Sequence, residues 1–490
     1  LVALADAGRA QRAFVHFSEI VFLSHPPLPL QTLTRLENFG HSLQRVAYVF
    51  RPEHTDELPA LFAQARQAGL SIGLRGAGRS YGDAALNAGQ IILDLRGLTR
   101  ILAWDAESGI VRVEPGVTIE QLWRHALPFG WWPPVVPGTM FPTLGGCLAA
   151  NIHGKNNWQA GPIGEHVVGF EAALPNGQTV TCSPQQNAEL FYSLIGGMGL
   201  LGVFTSITLQ LKKVHSAQLR VTGWTQPALA GMLAEMDAYK DEDYIVGWLD
   251  ATAAGGALGR GQLHRASYQA AEAGRLAPSL DLPPSILGIP KAALPPLMAP
   301  FVNNLGVRLV NFAKYSANRL LENHKSYTQS LVEFNFLLDY IPGWERIYGR
   351  GGLVQHQSFV PAAAAPSVYR QVLQRCQQHG LPPYLAVLKR HRPDGFLLSH
   401  AVDGFSLALD FKVPHQPARL VALARELDAM LLAAGGRYYF AKDALLDGQR
   451  ARQFLGEQTL GTLKQLKQRC DPDALLQHDL FRRCLAEEAA

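Results

Sequence analysis

Two glycine-rich stretches constrain this chain more than any other feature: Leu74 to Ala84, LRGAGRSYGDA, and Pro137 to Asn156, PGTMFPTLGGCLAANIHGKN. In the first, Gly73, Gly76, Gly78 and Gly82 strip side chains from the backbone. Bare backbone brings N–H groups close to a ligand, and successive N–H groups form an anion-binding nest. Arg75 and Arg79 add positive charge. The spacing Gly76-x-Gly78-x-x-x-Gly82 is not the dinucleotide fingerprint, whose loop opens directly into a helix. Here the next regular run, Gln90 to Leu95 (QIILDL), reads as a strand. No Gly-Lys-Ser/Thr follows, so a Walker A loop is excluded as well. In the second stretch Gly138, Gly145 and Gly146 again bare the backbone. The small residues after Pro142 suit a helix start against a flat ring or a pyrophosphate. Either loop alone is compatible with a plain tight turn. The pair reads as two loops converging on one phosphorylated cofactor.

The flanking pattern supplies a floor for these loops. Ala47–Phe50 reads as a strand, Thr55–Gly69 as a helix capped by Thr55, and Ser71–Leu74 as the strand that enters the first loop. Gly109–Gly116 reads as a strand ending in a turn, and Thr118–Leu127 as a helix capped by Thr118 and stopped at Pro128. At 490 residues, two domains are expected. The net charge of +4 is too mild for a nucleic-acid partner, and no basic run is interleaved with aromatics. Five cysteines with no CxxC support neither a disulfide framework nor a metal site, and a reducing compartment fits best.

Residues 1–32 read as an N-terminal extension, because the apolar run Phe14–Leu23 is interrupted by His16 and Glu19 and is followed by prolines. No transmembrane helix is expected. A cytoplasmic location follows, with peripheral contact at a membrane or cell-envelope face if the substrate is lipid-linked. Between Arg275 and Arg308 only Asp281 and Lys291 are charged, and seven prolines fall between Pro278 and Pro300. This excludes a regular long helix or a central strand. The stretch reads as a packing loop or as a flap against a prenyl chain or membrane. Asn303–Asn323 reads as an amphipathic helix beside it.

RGAGRSYGD at 75–83, HGKN at 153–156 and AELFYSLIGGMGLLGVFTSITLQL at 188–211 carry a family resemblance. It continues in Trp344–Gly349 (WERIYG), Gln355-His-Gln357, Leu388-Lys389, Gly436–Asp443 (GRYYFAKD) and Asp471-Pro-Asp473. The chain resembles the vanillyl-alcohol-oxidase/PCMH flavoprotein superfamily, and within it the decaprenylphosphoryl-β-D-ribose 2′-oxidase family (2′-epimerase flavoprotein subunit) of cell-wall arabinan biosynthesis. The resemblance implies an α+β fold. A PCMH-type FAD-binding domain of two α/β subdomains would span 33–215 and be completed by 437–490. A substrate-binding domain at 216–436, built on an antiparallel sheet with flanking helices, would be inserted between them.

It also implies site residues. FAD would be held by Arg75, Gly76, Gly78, Arg79, Ser80, Tyr81 and Gly82 of the first loop. From the second stretch come Gly138, Thr139, Thr143, Gly145, Gly146, Asn151 and His153, and from later in the chain Gly199, Phe204 and Tyr439. Lys442, His153 and Tyr81 would be catalytic, and Gln355, Gln357, Lys389 and Asn335 would face the sugar. Asn335 stands where the family has a tyrosine. Ala408 stands where it has the cysteine that its inhibitors modify, so resistance to thiol-trapping ligands is expected.

Oxidising an alcohol needs a hydride acceptor, which no side chain can be, and a group that takes the hydroxyl proton. An ammonium at Lys442 would stabilise the negative charge of reduced flavin. Read without the resemblance, Lys442 is a surface lysine paired with Asp443. Many superfamily members tether FAD to a histidine at the place of Arg79, so FAD here is expected to be non-covalent. In related aldonolactone enzymes the residue before His-Gly tunes oxygen access. The bulk of Ile152 implies slow reaction with O₂ and a quinone-like acceptor. The expected activity is oxidation of the ribose 2′-hydroxyl of a polyprenyl-phosphoryl ribose, with an NAD(P)H-dependent short-chain reductase completing an epimerisation. The alternatives are an alditol or aldonolactone oxidase with a free, soluble substrate, and a flavin-binding protein without catalysis.

Overall fold

Around the first glycine-rich stretch the short apolar runs pair into a four-stranded sheet. Its strands are β1 (Leu33–Glu37), β2 (Gln44–Phe50), β3 (Ile72–Arg75) and β4 (Ile91–Asp94), in the order β1-β2-β4-β3. A computed structural model describes residues 28–270, 282, 285–286 and 288–486. The strands β2 and β3 both run parallel to β4. The helix Leu58–Ala68 makes the β2–β3 crossover, burying Leu58, Phe62 and Ala65 along one stripe and stopping at Gly69 in the left-handed region. It starts later than the expected Thr55 cap. Residues Thr55–Glu57 form a 3₁₀ turn, and the Glu57 carboxylate accepts from the N–H groups of Glu53 and His54. Pro59 has no N–H and is tolerated only in a first turn, which sets the start at Leu58.

A second sheet holds β5 (Ile101–Asp105), β6 (Ile110–Val113), β8 (Val167–Ala173), β9 (Thr179–Cys182) and β10 (Val203–Gln210), in the order β5-β6-β10-β8-β9. The short β7 (Trp131–Trp132) pairs with β11 (Lys212–Lys213). The Thr118 cap is present: its Oγ1 accepts from Gln121 N–H at 3.1 Å. The end of the chain returns to the first sheet. Ile72 N–H donates to the Leu475 carbonyl at 2.7 Å, and Arg483 pairs with both Asp83 and Asp443.

The middle of the chain forms an eight-stranded antiparallel sheet. It comprises β12 (Gln218–Gln226), β13 (Tyr244–Leu249), β14 (Gly261–Tyr268), β17 (Lys325–Ser330), β18 (Leu353–Pro361), β19 (Leu385–His391), β20 (Gly404–Lys412) and β21 (Arg437–Tyr438). The order is β17-β12-β14-β13-β19-β20-β18-β21. Two residues of the returning segment, Arg437 and Tyr438, therefore finish this sheet's edge before the chain leaves it. Helices Leu229–Ala238, Ala365–Gln378 and Pro417–Ala433 pack on the sheet.

The expected 1–32 extension falls outside the described residues up to 27. Leu28 already packs into the core of the first sheet. The proline-rich stretch is described only in part. Its two-residue strands β15 (Ser285–Ile286) and β16 (Ile289–Pro290) pair, and Leu294–Met298 makes one helical turn with its prolines at the start, where they are tolerated. The next helix is Asn304–Ala317, capped by Asn303, whose side chain accepts from Gly306 N–H at 3.0 Å. It ends short of Asn323, in a wider π turn at Asn318–Glu322.

Candidate active site

The two glycine-rich loops meet. A Cβ at Gly76 would lie 2.1 Å from Thr143 Oγ1, so only glycine lets the loops close on each other. Gly78 sits in the left-handed region at φ 66°. Among the described residues, no acceptor faces the N–H groups of Ala77, Gly78, Arg79 and Ser80. Four consecutive free amides make a nest for an anion. They open onto a cavity of about 1030 Å³ between the loops and one face of the eight-stranded sheet. Arg79 also lines it, with its guanidinium between the rings of Phe39 (5.3 Å) and Phe141 (5.2 Å).

Nearly all of the expected cofactor positions line this cavity: Arg75, Gly76, Gly78, Ser80, Tyr81, Gly138, Thr139, Thr143, Gly145, Gly146, His153, Gly199 and Tyr439. Some of them also hold the loops. Arg75 donates to the carbonyls of Ala85 and Glu37, and Thr139 Oγ1 donates to Asp339 at 2.6 Å. Three expected positions lie off the cavity wall. Gly82 lets the first loop touch the Asp443 carbonyl, since a Cβ there would sit 1.6 Å from that oxygen. Asn151 braces the second loop by accepting from Gly164 N–H at 3.0 Å. Phe204 packs edge-on against Phe170 in the core.

The sheet supplies the opposite wall. Strand register sets Gln357 opposite Ala408, Ala408 opposite Val387 and Val387 opposite Trp248, while Gln355 lies opposite Asp410. Side chains two apart on a strand share a face, so Gln355, Gln357, Asp410, Ala408, Val387 and Lys389 all look into the cavity. Asn335 lines it too, though its amide donates to the Leu331 carbonyl at 3.0 Å.

Lys442, Tyr81 and His153 converge at the junction of loops and sheet. Tyr81 N–H donates to the Ala441 carbonyl at 2.9 Å, which ties the first loop to the returning segment. Lys442 Nζ stands 3.7 Å from the centre of the Tyr81 ring. Burial pulls the Lys442 ammonium well below its ordinary range, and Lys389 pushes the same way while Asp410 opposes. Burial raises the Asp410 carboxyl, and Gln355 and Lys442 hold it back. Gln355 donates to one Asp410 oxygen, while the other, Oδ2, is buried without a partner. His153 contacts Gln357 at 3.1 Å and Lys389 Nζ at 3.5 Å. Burial, Lys389 and the neighbouring His391 and His400 hold it well below its ordinary value, so the ring is neutral. Lys389 itself is pulled down to about 8 by burial.

Asp410, which lines the cavity, and His391 and His400, which pack behind His153 with ring centres at 4.8 and 5.4 Å, were not expected from the sequence. Asp410 sits in an ordinary alternating strand, and the histidines come from separate segments. No local spacing marks them. The His391 ring is fixed by Asn157 and Ser406 at 2.9 and 2.8 Å. Among the described residues no group of three or more His, Cys, Asp or Glu is placed to hold a metal.

Comparison with known proteins agrees with the geometry. The FAD binding domain family matches residues 46–183. Decaprenylphosphoryl-beta-D-ribose oxidase of Mycolicibacterium smegmatis is 30% identical over 92% of this chain and 97% of its own length. An uncharacterized protein in the mprA 5′ region of Streptomyces coelicolor is 30% identical over 75% of this chain and 99% of its own. A D-lactate dehydrogenase of Archaeoglobus fulgidus is 28% identical over 33% of this chain and 38% of its own. The free amides, Arg79 and the size of the cavity fit FAD.

Proposed function

The chain belongs to the VAO/PCMH-type family of FAD-dependent oxidoreductases that includes decaprenylphosphoryl-β-D-ribose oxidase, and on that premise we propose that it oxidises the ribose 2′-hydroxyl of a polyprenyl-phosphoryl ribose to a ketone. The observation that carries this reading is the Lys442–Asp410 pair. A buried carboxylate with a free oxygen and a lysine compressed by burial face the polar row Gln355, Gln357 and Lys389 in one cavity.

When bound, FAD supplies the hydride acceptor. Asp410 Oδ2 is the group placed to take the hydroxyl proton, and its raised pKa makes it a stronger base than an exposed carboxylate. Lys442, as the ammonium, would place positive charge beside a bound flavin and favour its reduced, anionic form. Gln355 and Gln357 orient the sugar, and neutral His153 holds Gln357.

FAD is held without a covalent bond. Arg79 is no nucleophile, and burial raises the Cys147 thiol far above its ordinary range. Denaturing acid should therefore release all flavin into the supernatant; colour retained in the pellet contradicts this. Ile152 lines the cavity and blocks oxygen, which favours a quinone-like acceptor. An NAD(P)H-dependent short-chain reductase consumes the keto product. The lipid reading also accounts for the flap. Leu294, Leu297, Met298, Phe301 and Val310 line the cavity, and Leu305, Leu309 and Phe312 project outward beside them.

The test is anaerobic flavin bleaching with a prenyl-phosphoryl ribose, with Asp410→Asn as the control. The wild type should bleach, and the variant should bleach 10²–10⁴-fold more slowly. An unchanged rate in the variant removes the assigned base.

A further inference from the structure

The cavity carries more positive charge than a flavin and its proton transfer require. Its lining includes Arg75, Arg79, Lys155, Lys314, Lys389 and Lys442, against the single carboxylate of Asp410 among the described residues. Arg75 and Arg79 belong to the first loop, and Lys389 and Lys442 to the reacting end. Lys155 and Lys314 are left over.

Strand register locates them. Gln357 and His264 lie four strand spacings apart, about 19 Å across the sheet, with Lys389 between them. The Lys155 carbonyl accepts from Ile245 N–H at 3.0 Å, beside Val246, which pairs with His264. Lys155 Nζ donates to the Phe334 carbonyl and lies 4.6 Å over the Phe334 ring, which leaves two of its three donors for a ligand. Lys314 comes from the helix Asn304–Ala317, and its Nζ lies 4.1 Å over the ring of Trp248. Among the described residues no carboxylate acts on Lys155, and Glu322 acts on Lys314 from beyond ion-pair distance. Burial pulls Lys155 to about 7 and Lys314 to about 8, and both lysines act on His264, which burial holds at about 4. The same cavity is lined by apolar Leu297, Phe301 and Val310, the last one helical turn before Lys314.

We propose that Lys155, Lys314 and His264 form a subsite for the phosphate of the substrate, placed between the sugar-facing row and an apolar channel for the lipid tail. This rests on the oxidation reading above and adds a recognition element to it. The cavity then follows the order of groups in one amphiphile: hydroxylated sugar, anion, hydrocarbon. The anion supplies half-buried Lys155 with a countercharge and meets the more exposed Lys314 beside it, on which Glu322 acts only from a distance, and neutral His264 donates a ring N–H to it.

Binding to the FAD-loaded protein tests the subsite, with farnesyl phosphate, farnesol and inorganic phosphate as probes and flavin difference absorbance as the readout. Farnesyl phosphate should bind wild type at least 10-fold more tightly than either other probe. Lys155→Met and Lys314→Met should each weaken it by 10-fold or more, with farnesol binding and flavin content unchanged, and Lys314→Arg should restore it. If both Met variants bind farnesyl phosphate within twofold of wild type, the subsite is wrong. Farnesol bound as tightly as its phosphate also overturns it. Inorganic phosphate bound as tightly as farnesyl phosphate overturns the lipid assignment. Failure of the oxidation reading looks different: a prenyl-phosphoryl ribose that never bleaches wild-type flavin, whatever the farnesyl phosphate result.

Discussion

At residue scale, the site places opposite charges where water is scarce. Lys442 and Asp410 are shifted toward each other, the lysine down and the carboxyl up, both chiefly by desolvation. Bleaching rates should therefore follow a bell. The acid limb is loss of the Asp410 base as pH falls through its raised pKa. The alkaline limb is loss of the Lys442 charge as pH rises through its lowered one. The bell should be narrower than the interval of roughly 3.9 to 10.4 set by an unperturbed Asp and Lys. A rapid-mixing pH series checks this, and Asp410→Asn should erase the acid limb. Lys442→Met should slow bleaching by about 10²–10³ with FAD retained. Lys389 gives a stability prediction of defined sign. Its folded pKa, about 8, lies below the unfolded value near 10.4, so between those values the unfolded chain binds more protons and stability rises with pH. Lys389→Met should stabilise the protein by about 1–3 kcal/mol at pH 7 and by almost nothing at pH 10. Urea midpoints at the two pH values measure it. That Lys442 and His153 would line one cavity was legible in the sequence because each sits in a distinctive local motif. The place of Asp410 was not, because strand register alone brings it there.

At element scale, the loops work because backbone meets backbone. Gly82 lets the first loop rest on the Asp443 carbonyl, so it is an assembly position rather than a wall of the cavity. Gly82→Ala forces a methyl into that oxygen and should separate the returning segment from the loop. Flavin affinity should fall at least 10-fold, and thermal stability should fall with it; titration of the flavin-free protein with FAD checks the first. Strand and helix positions around the loops were legible, because periodicity and caps are local. The helix start at Leu58 was displaced by a proline rule acting one turn later than the cap signal. The end of the helix Asn304–Ala317 follows from no sequence feature we identify. The order of the eight-stranded sheet was not legible either, since its pairings join segments as far apart as Gly247 and Leu388.

At the scale of the whole molecule, the helix Asn304–Ala317 is amphipathic in an unusual sense. Its buried side carries Val307, Asn311 and Tyr315, with Asn311 donating to Asp250 at 3.2 Å, while Leu305, Leu309 and Phe312 face outward, Leu305 at 68% exposure. In the π turn after it Leu320 is 81% exposed. Arg308 and Arg319 accompany these residues, a composition suited to an anionic bilayer surface. Among the described residues no helix is long and apolar enough to cross a membrane. The triple variant Leu305→Ser, Leu309→Ser, Phe312→Ser should lose at least 10-fold in partitioning to phosphatidylglycerol vesicles in a sedimentation assay, while oxidising a short-chain substrate at the wild-type rate. The most direct test of the whole account is flavin absorbance under anaerobic conditions, with a prenyl-phosphoryl ribose, xylitol and a free aldonolactone added separately. Bleaching by the lipid-linked sugar alone is the expected result. Bleaching by the free polyol or lactone, with none by the lipid-linked sugar, would contradict it.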